Sequence, residues 1–247
     1  MFRSIITLLV IATASFGVAQ AKGIPAYVAK SVADSARPDK DRARDADRKS
    51  AEIMTLASVR PGNTVADVGP GAGYYSRILS RIVGEKGKVY GFNPTWVAEK
   101  FPKAPEGVTV LAANGYPNIE SVVLPMADIR FDHPLDVIFV SQVYHDQIWQ
   151  KIDIEKMNKA IFSALKPGGV FFIIDHIGRG VRTPEQIDKL HRVDPDLVKE
   201  QVLAAGFRLV AESDILRNPY DLGDKNVFDP TIRGHTDQFI FKFQRPR

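Results

Sequence analysis

The run Val65-Ala66-Asp67-Val68-Gly69-Pro70-Gly71-Ala72-Gly73 ends an apolar, β-prone stretch with three glycines at alternate positions. Without Cβ atoms, such a turn lets a ligand lie against bare main chain, and the start of a following helix adds unpaired N–H groups. A strand-to-helix turn with no ligand uses the same residues, so the run by itself leaves both readings open. A dinucleotide fingerprint would read G-x-G-x-x-G, yet the residue three after Gly71 is Tyr74, and an acid, Asp67, stands two residues before the first glycine. A nicotinamide-linked oxidoreductase is therefore disfavoured.

Four of the five histidines, His145, His176, His191 and His235, fall in segments that follow strand-like runs. Histidine titrates near neutrality, so these are candidates for proton handling, against the plainer reading that loops are polar. His145 is the first choice as a general base, with Asp146 beside it and Tyr144 as an orienting hydroxyl; Asp175 and His176 come second. In an extended segment neighbouring side chains point apart, so Asp146 can equally cap a following helix. No histidine pair has the spacing of a helical zinc site and cysteine is absent, so no metal is expected. Arg182, Arg192 and Arg233 could each grip a carboxylate or phosphate, or simply be solvated.

The elements that must position these residues alternate along a chain of 247 residues, 45% hydrophobic and 25% charged, with 33 Lys+Arg against 29 Asp+Glu. That composition is globular, and the net charge of +4 is scattered among acids, which argues against a nucleic-acid partner. Met1-Phe2-Arg3 followed by an uncharged run to Ala21, with Ala19 and Ala21 as an A-x-A site, reads as a cleavable signal peptide. Periplasmic export is the expectation, with no stable membrane insertion after cleavage, because no later stretch is long and apolar enough to span. Residues 22–60 read as a polar helical cap, and 61–247 as the main domain. Within it, strands are expected at 63–68, 88–92, 135–140, 170–174, 207–211 and 238–243, and helices at 74–83, 95–101, 154–165 and 194–205. Two further strand candidates compete, 108–111 and 121–124. This order gives an α/β fold, a mostly parallel sheet with helices on both faces.

The glycine run with its acid resembles the first signature of class I S-adenosyl-L-methionine (SAM) dependent methyltransferases. The resemblance extends from Val59 to the C-terminus through the turn Leu165-Lys166-Pro167-Gly168-Gly169 and a final strand pair split by a long loop. It implies a Rossmann-like seven-stranded mixed sheet whose last strand is antiparallel. It also implies that Asp67, Gly69, Pro70, Gly71, Gly73 and Ser141 surround the cofactor SAM, with Asp128 near adenine. Where such enzymes usually place a ribose-binding acid, this sequence has Phe92-Asn93-Pro94. Replacing a charged acceptor by an amide weakens such binding by about 1 kcal/mol. The stretches from Ser141 to Asp146 and from Leu190 to Asp194 are further similar to a family of predicted exported bacterial methyltransferases. Ser141-Gln142-Val143-Tyr144 is not the Asp/Asn-Pro-Pro-Tyr of enzymes acting on exocyclic amines or glutamine. The resemblance thus implies an exported methyltransferase acting on a small-molecule acceptor. The alternative is a ligand-binding protein that kept the fold with weakened SAM binding.

Overall fold

A computed structural model describes residues 23–247, so the expected signal peptide lies outside the described residues. Four short helices come first, α1 (Ala26–Val32), α2 (Asp39–Arg42), α3 (Asp45–Arg48) and α4 (Ser50–Leu56). There follow β1 (Thr64–Val68), α5 (Tyr74–Val83), β2 (Lys88–Pro94), α6 (Thr95–Lys100), α7 (Lys103–Ala113), β3 (Ile119–Leu124), a 3₁₀ turn at Met126–Asp128 and β4 (Leu135–Ser141). The chain continues through α8 (Tyr144–Trp149), α9 (Ile154–Ala164), β5 (Leu165–His176), α10 (Pro184–Leu190), α11 (Pro195–Ala204), β6 (Arg208–Ser213) and β7 (Gln238–Gln244). Among the described residues no helix is long and apolar enough to cross a membrane.

The seven strands form one sheet in the order β3-β2-β1-β4-β5-β7-β6, with β7 antiparallel to both neighbours and the others parallel where paired. Side chains alternate across a strand, and the core divides accordingly. Ala66, Val68, Phe92, Ile138, Val140, Phe171 and Ile173 pack on the face covered by α8 to α11. Val65, Val89, Val137, Phe139, Phe172 and Ile174 pack on the other, under α4, α5 and α7. Asp67 follows the same alternation as Val65, which directs it toward the second layer beside Phe139.

One strand expectation is corrected. Residues 108–111 belong to α7, not to a strand. The run of β-branched residues suggests a strand locally, but in α7 Val108 and Leu111 stand three apart on one face and both become buried. Their partners are glycines, since a Cβ on Gly91 would stand 2.5 Å from Val108 Cγ1, and one on Gly73 would stand 2.2 Å from Leu111 Cδ1. The Leu165–Gly169 segment forms the first part of β5 and carries a register shift against β4.

The N-terminal helices are tied to α5 by charge. Arg37, fully buried, grips Asp45 through both terminal nitrogens at 2.8 Å. Asp45 Oδ1 also accepts from the Tyr74 hydroxyl at 2.5 Å. Arg77 pairs with Asp41 at 2.8 Å and Arg81 with Asp34 at 2.5 Å, so two arginine pairs and the Tyr74–Asp45 bond span this junction.

Candidate active site at the carboxyl ends of the strands

The glycine loop carries three left-handed residues, Gly69, Gly71 and Gly73, at φ of 66°, 55° and 81°. They serve different ends. A Cβ on Gly69 would come within 2.8 Å of Val143 Cγ1, so this glycine admits the segment after β4, while Gly73 admits Leu111. Nothing lies within 4 Å of the position a Gly71 Cβ would take. Its bare main chain faces open space. The loop is pinned to β2 by the Gly69 N–H, which donates to Phe92 O at 2.9 Å.

Asp67 is 2% exposed and its Oδ2 accepts a hydrogen bond from Ser76 Oγ at 2.5 Å. Burial raises its pKa to about 6, against the opposing pull of the Ser76 hydroxyl and the Arg48 charge. The cleft it borders has a volume of about 360 Å³ and is lined by Asp67, Gly69 to Ala72, Tyr75 and Ser141 together with Lys40, Asp41, Arg44 and Arg48 from the N-terminal helices. A second cleft of about 470 Å³ shares Arg44, Arg48, Tyr75 and Gln142 with the first and adds His176, Arg233, His235 and Gln238. The Arg48 guanidinium lies 4.5 Å from the Tyr74 ring centroid and 5.4 Å from that of Tyr75, which fixes it at the junction of the two clefts.

Asn93, near the carboxyl end of β2, is buried, and neither its Oδ1 nor its Nδ2 has a partner. A buried amide with both ends unmet costs stability, and such groups call for an explanation in the folded molecule. Asn93 walls neither cleft, and Gly71, whose Cβ position is open, lies in the loop after the neighbouring strand β1. Asp128 lies in the 3₁₀ turn after β3, exposed, where Arg130 pairs with it and lowers its pKa.

Tyr144, His145 and Asp146 form the first turn of α8, not an extended segment, and none of them walls either cleft. The Tyr144 hydroxyl accepts from Asn158 Nδ2 at 2.9 Å and donates to Gln201 Oε1 at 3.2 Å, and burial raises its pKa. His145 is buried, its Nδ1 2.7 Å from Asp175 Oδ1 and its N–H donating to Asp175 Oδ2 at 2.9 Å. Burial alone would depress the imidazolium, but the Asp175 carboxylate outweighs it and holds the His145 pKa above its ordinary value. Asp146 is inside the helix and accepts from Trp149 Nε1 at 2.8 Å. His176 does wall the second cleft; burial drives its pKa down to about 4, and its Nδ1 meets Thr236 Oγ1 at 2.7 Å.

Of the three arginines singled out from sequence, only Arg233 walls a cleft. Arg192 is fully buried in a two-pronged pair with Asp221 at 2.8 and 2.9 Å, and Arg182 is engaged by Asp194 and Glu200. Sequence reasoning missed Lys40, Arg44, Arg48 and Tyr75. Its available signal was the four-residue spacing of Arg44 and Arg48, which puts both on one helical face.

The sequence model described as protein-L-isoaspartate(D-aspartate) O-methyltransferase matches residues 43–203. A Methanococcus maripaludis protein-L-isoaspartate O-methyltransferase is 28% identical over 146 residues, 59% of this chain and 60% of the relative. An Archaeoglobus fulgidus protein-L-isoaspartate O-methyltransferase 2 is 30% identical over 119 residues, 47% of each. The chain thus spans about 60% or less of the length of these curated relatives. Among solved structures, a SAM dependent methyltransferase from Aquifex aeolicus superposes with a TM-score of 0.54 and 24% identity, over 80% of this chain and 88% of that one.

Proposed function

Because the chain belongs to the protein-L-isoaspartate(D-aspartate) O-methyltransferase family, we propose that it binds SAM at the glycine-loop cleft and methylates a free carboxylate, that of an L-isoaspartyl residue in a protein substrate. Asp67, Gly69, Gly71 and Ser141 would hold the donor within the cleft, and Asn93 would meet its nucleoside. Bound there, SAM supplies an electrophilic methyl group on a sulfonium.

A carboxylate acceptor is already ionised near neutrality and releases no proton, so this chemistry asks the protein for orientation and charge complementarity more than for a base. The single observation that carries the reading is the cluster of Arg44, Arg48 and Arg233 around a cleft that shares a wall with the glycine loop. Guanidinium groups match a carboxylate in geometry and sign. Tyr75 lines both clefts, so it would stand beside both donor and acceptor. The small-molecule acceptor expected from sequence is replaced in this proposal by a protein carboxylate, following the names of the relatives. Export to the periplasm stays part of the proposal on the strength of residues 1–21, and it predicts a mature N-terminus at Lys22.

The test is incubation of the full chain with methyl-labelled SAM and a matched pair of peptides, one with L-isoaspartate and one with ordinary aspartate. Base-labile label on the isoaspartyl peptide alone is expected. No label on that peptide, although SAM binds by calorimetry, would sink the carboxylate reading and favour a binding protein on this fold.

A further inference from the structure

Behind the lining of the second cleft, where His145 packs on His176 and His191 on Phe228, three side chains converge at metal-ligand spacing. His145 and Asp146, in the first turn of α8, and His191, just past the end of α10, bring one ligand atom each to within 4.8 Å of one another. Asp146 Oδ1 is 3.3 Å from His145 Nε2 and 3.8 Å from His191 Nδ1. Nitrogen and oxygen ligands about 2.0–2.2 Å from a tetrahedral zinc-class ion stand roughly 3.3–3.5 Å apart. The two distances from Asp146 Oδ1 are within a few tenths of an ångström of that spacing, and the two imidazole nitrogens lie within 4.8 Å of each other.

The surroundings match those of a metal-bound imidazole. Asp175, fully buried, contacts His145 Nδ1 at 2.7 Å and is itself held by the N–H groups of His145 and His176 at 2.9 and 2.8 Å. A carboxylate at one ring nitrogen fixes the tautomer and leaves the other nitrogen's lone pair for an ion. Here that other nitrogen, Nε2, is the one beside Asp146. Asp146 is oriented in turn by Trp149 Nε1 at 2.8 Å. His191 occupies the left-handed region at φ 51°, where a helix end ordinarily takes glycine, and its ring packs edge-on to that of His145 at 5.6 Å. An ion at Nε2 displaces any proton there, and with both imidazoles then neutral the carboxylates Asp146 and Asp175 leave two negative charges for a divalent cation to balance. The side chains of Asp146 and His191, 16% and 21% exposed, leave a route in from solvent.

We propose that His145, Asp146 and His191 form a three-ligand site for a divalent transition-metal ion of the zinc class, with Asp175 as a positioning residue. Two imidazoles and a carboxylate suit such an ion, and three protein ligands leave a position for water or another ligand. The ion would clamp α8 to the end of α10 at the rim of the sheet. This proposal is independent of the methyl-transfer reading, because metal binding is measured with no SAM or peptide present.

The experiment titrates the full chain, free of any affinity tag and stripped with a chelator, with Co²⁺ followed by visible absorption, and then displaces it with Zn²⁺. One equivalent is expected to bind, with a raised unfolding temperature. Asp146→Asn keeps an acceptor for Trp149, and His191→Asn tolerates the left-handed backbone; each is expected to lose affinity at least ~100-fold. Asp175→Asn should weaken binding about 10–100-fold, the usual effect of losing the group that orients a ligand. His133→Asn, outside the cluster, should leave it unchanged. Absence of one-equivalent binding of both ions overturns the proposal, as does binding that survives in Asp146→Asn and His191→Asn.

Discussion

Ser76 Oγ donates a 2.5 Å hydrogen bond to Asp67 Oδ2, so the helix that follows the glycine loop reaches back to the acid that precedes it. That bond only partly offsets the burial that raises the Asp67 pKa to about 6. An acid whose folded-state pKa exceeds its unfolded value weakens the fold as it ionises. Its contribution falls as pH rises from about 4 to about 6 and is level above that. Asp67→Asn, which keeps an acceptor for Ser76, should therefore be more stable than the wild type at pH 8, by up to roughly 3 kcal/mol, with the gap closing near pH 4. Urea unfolding at the two pH values measures it; a gap that does not change with pH would remove the buried-charge account.

The glycines of the loop should respond differently to alanine. Gly71→Ala adds a methyl group where no protein atom lies within 4 Å, so it should cost only the left-handed backbone penalty of about 1–2 kcal/mol while weakening SAM binding more than tenfold. Gly73→Ala meets Leu111 Cδ1 at 2.2 Å and should lose considerably more stability. Thermal unfolding beside calorimetric titration separates the two effects, and equal loss of SAM binding in both variants at equal stability would contradict the assignment.

Asn93→Asp restores a charged acceptor at the end of β2. We expect SAM affinity to rise about fivefold, the difference between a charged and a neutral hydrogen bond, while the ligand-free protein becomes less stable because the buried carboxylate has no partner. Unchanged affinity would place the nucleoside elsewhere.

Arg233→Ala should raise KM for the isoaspartyl peptide by about tenfold or more, as expected from losing a charge-assisted hydrogen bond worth about 1.5–3 kcal/mol, and leave the Kd for SAM unchanged. The wild-type KM should also rise with ionic strength. A KM insensitive to both the substitution and salt would show that the acceptor does not lie against these arginines.

Asp45→Ala leaves the fully buried Arg37 without its carboxylate and removes the acceptor for Tyr74. A loss of about 3–5 kcal/mol is expected, the range for breaking a buried pair from one side. A change below about 1 kcal/mol by chemical denaturation would mean that the N-terminal helices are held by other contacts.

The alternation of strands and helices, the parallel sheet and the glycine turn were all legible in the sequence, because apolar periodicity and turn chemistry act between near neighbours along the chain. Tyr74–Val83 is such a case, an amphipathic run that the sheet simply receives. The β-branched residues of 108–111 favour a strand in isolation, and it is the space left by Gly91 and Gly73 that admits them as a helix. The cationic wall from Lys40 to Arg48 reads locally as a solvated polar helix. It becomes part of a cleft because Arg37, Asp45 and Tyr74 dock that segment on α5. His145, Asp146 and His191 likewise show no metal spacing along the chain, and it is the packing of α8 against α10 that brings their ligand atoms together. Secondary structure follows from interactions a few residues long, whereas convergence of charges and ligands depends on which distant elements share a surface.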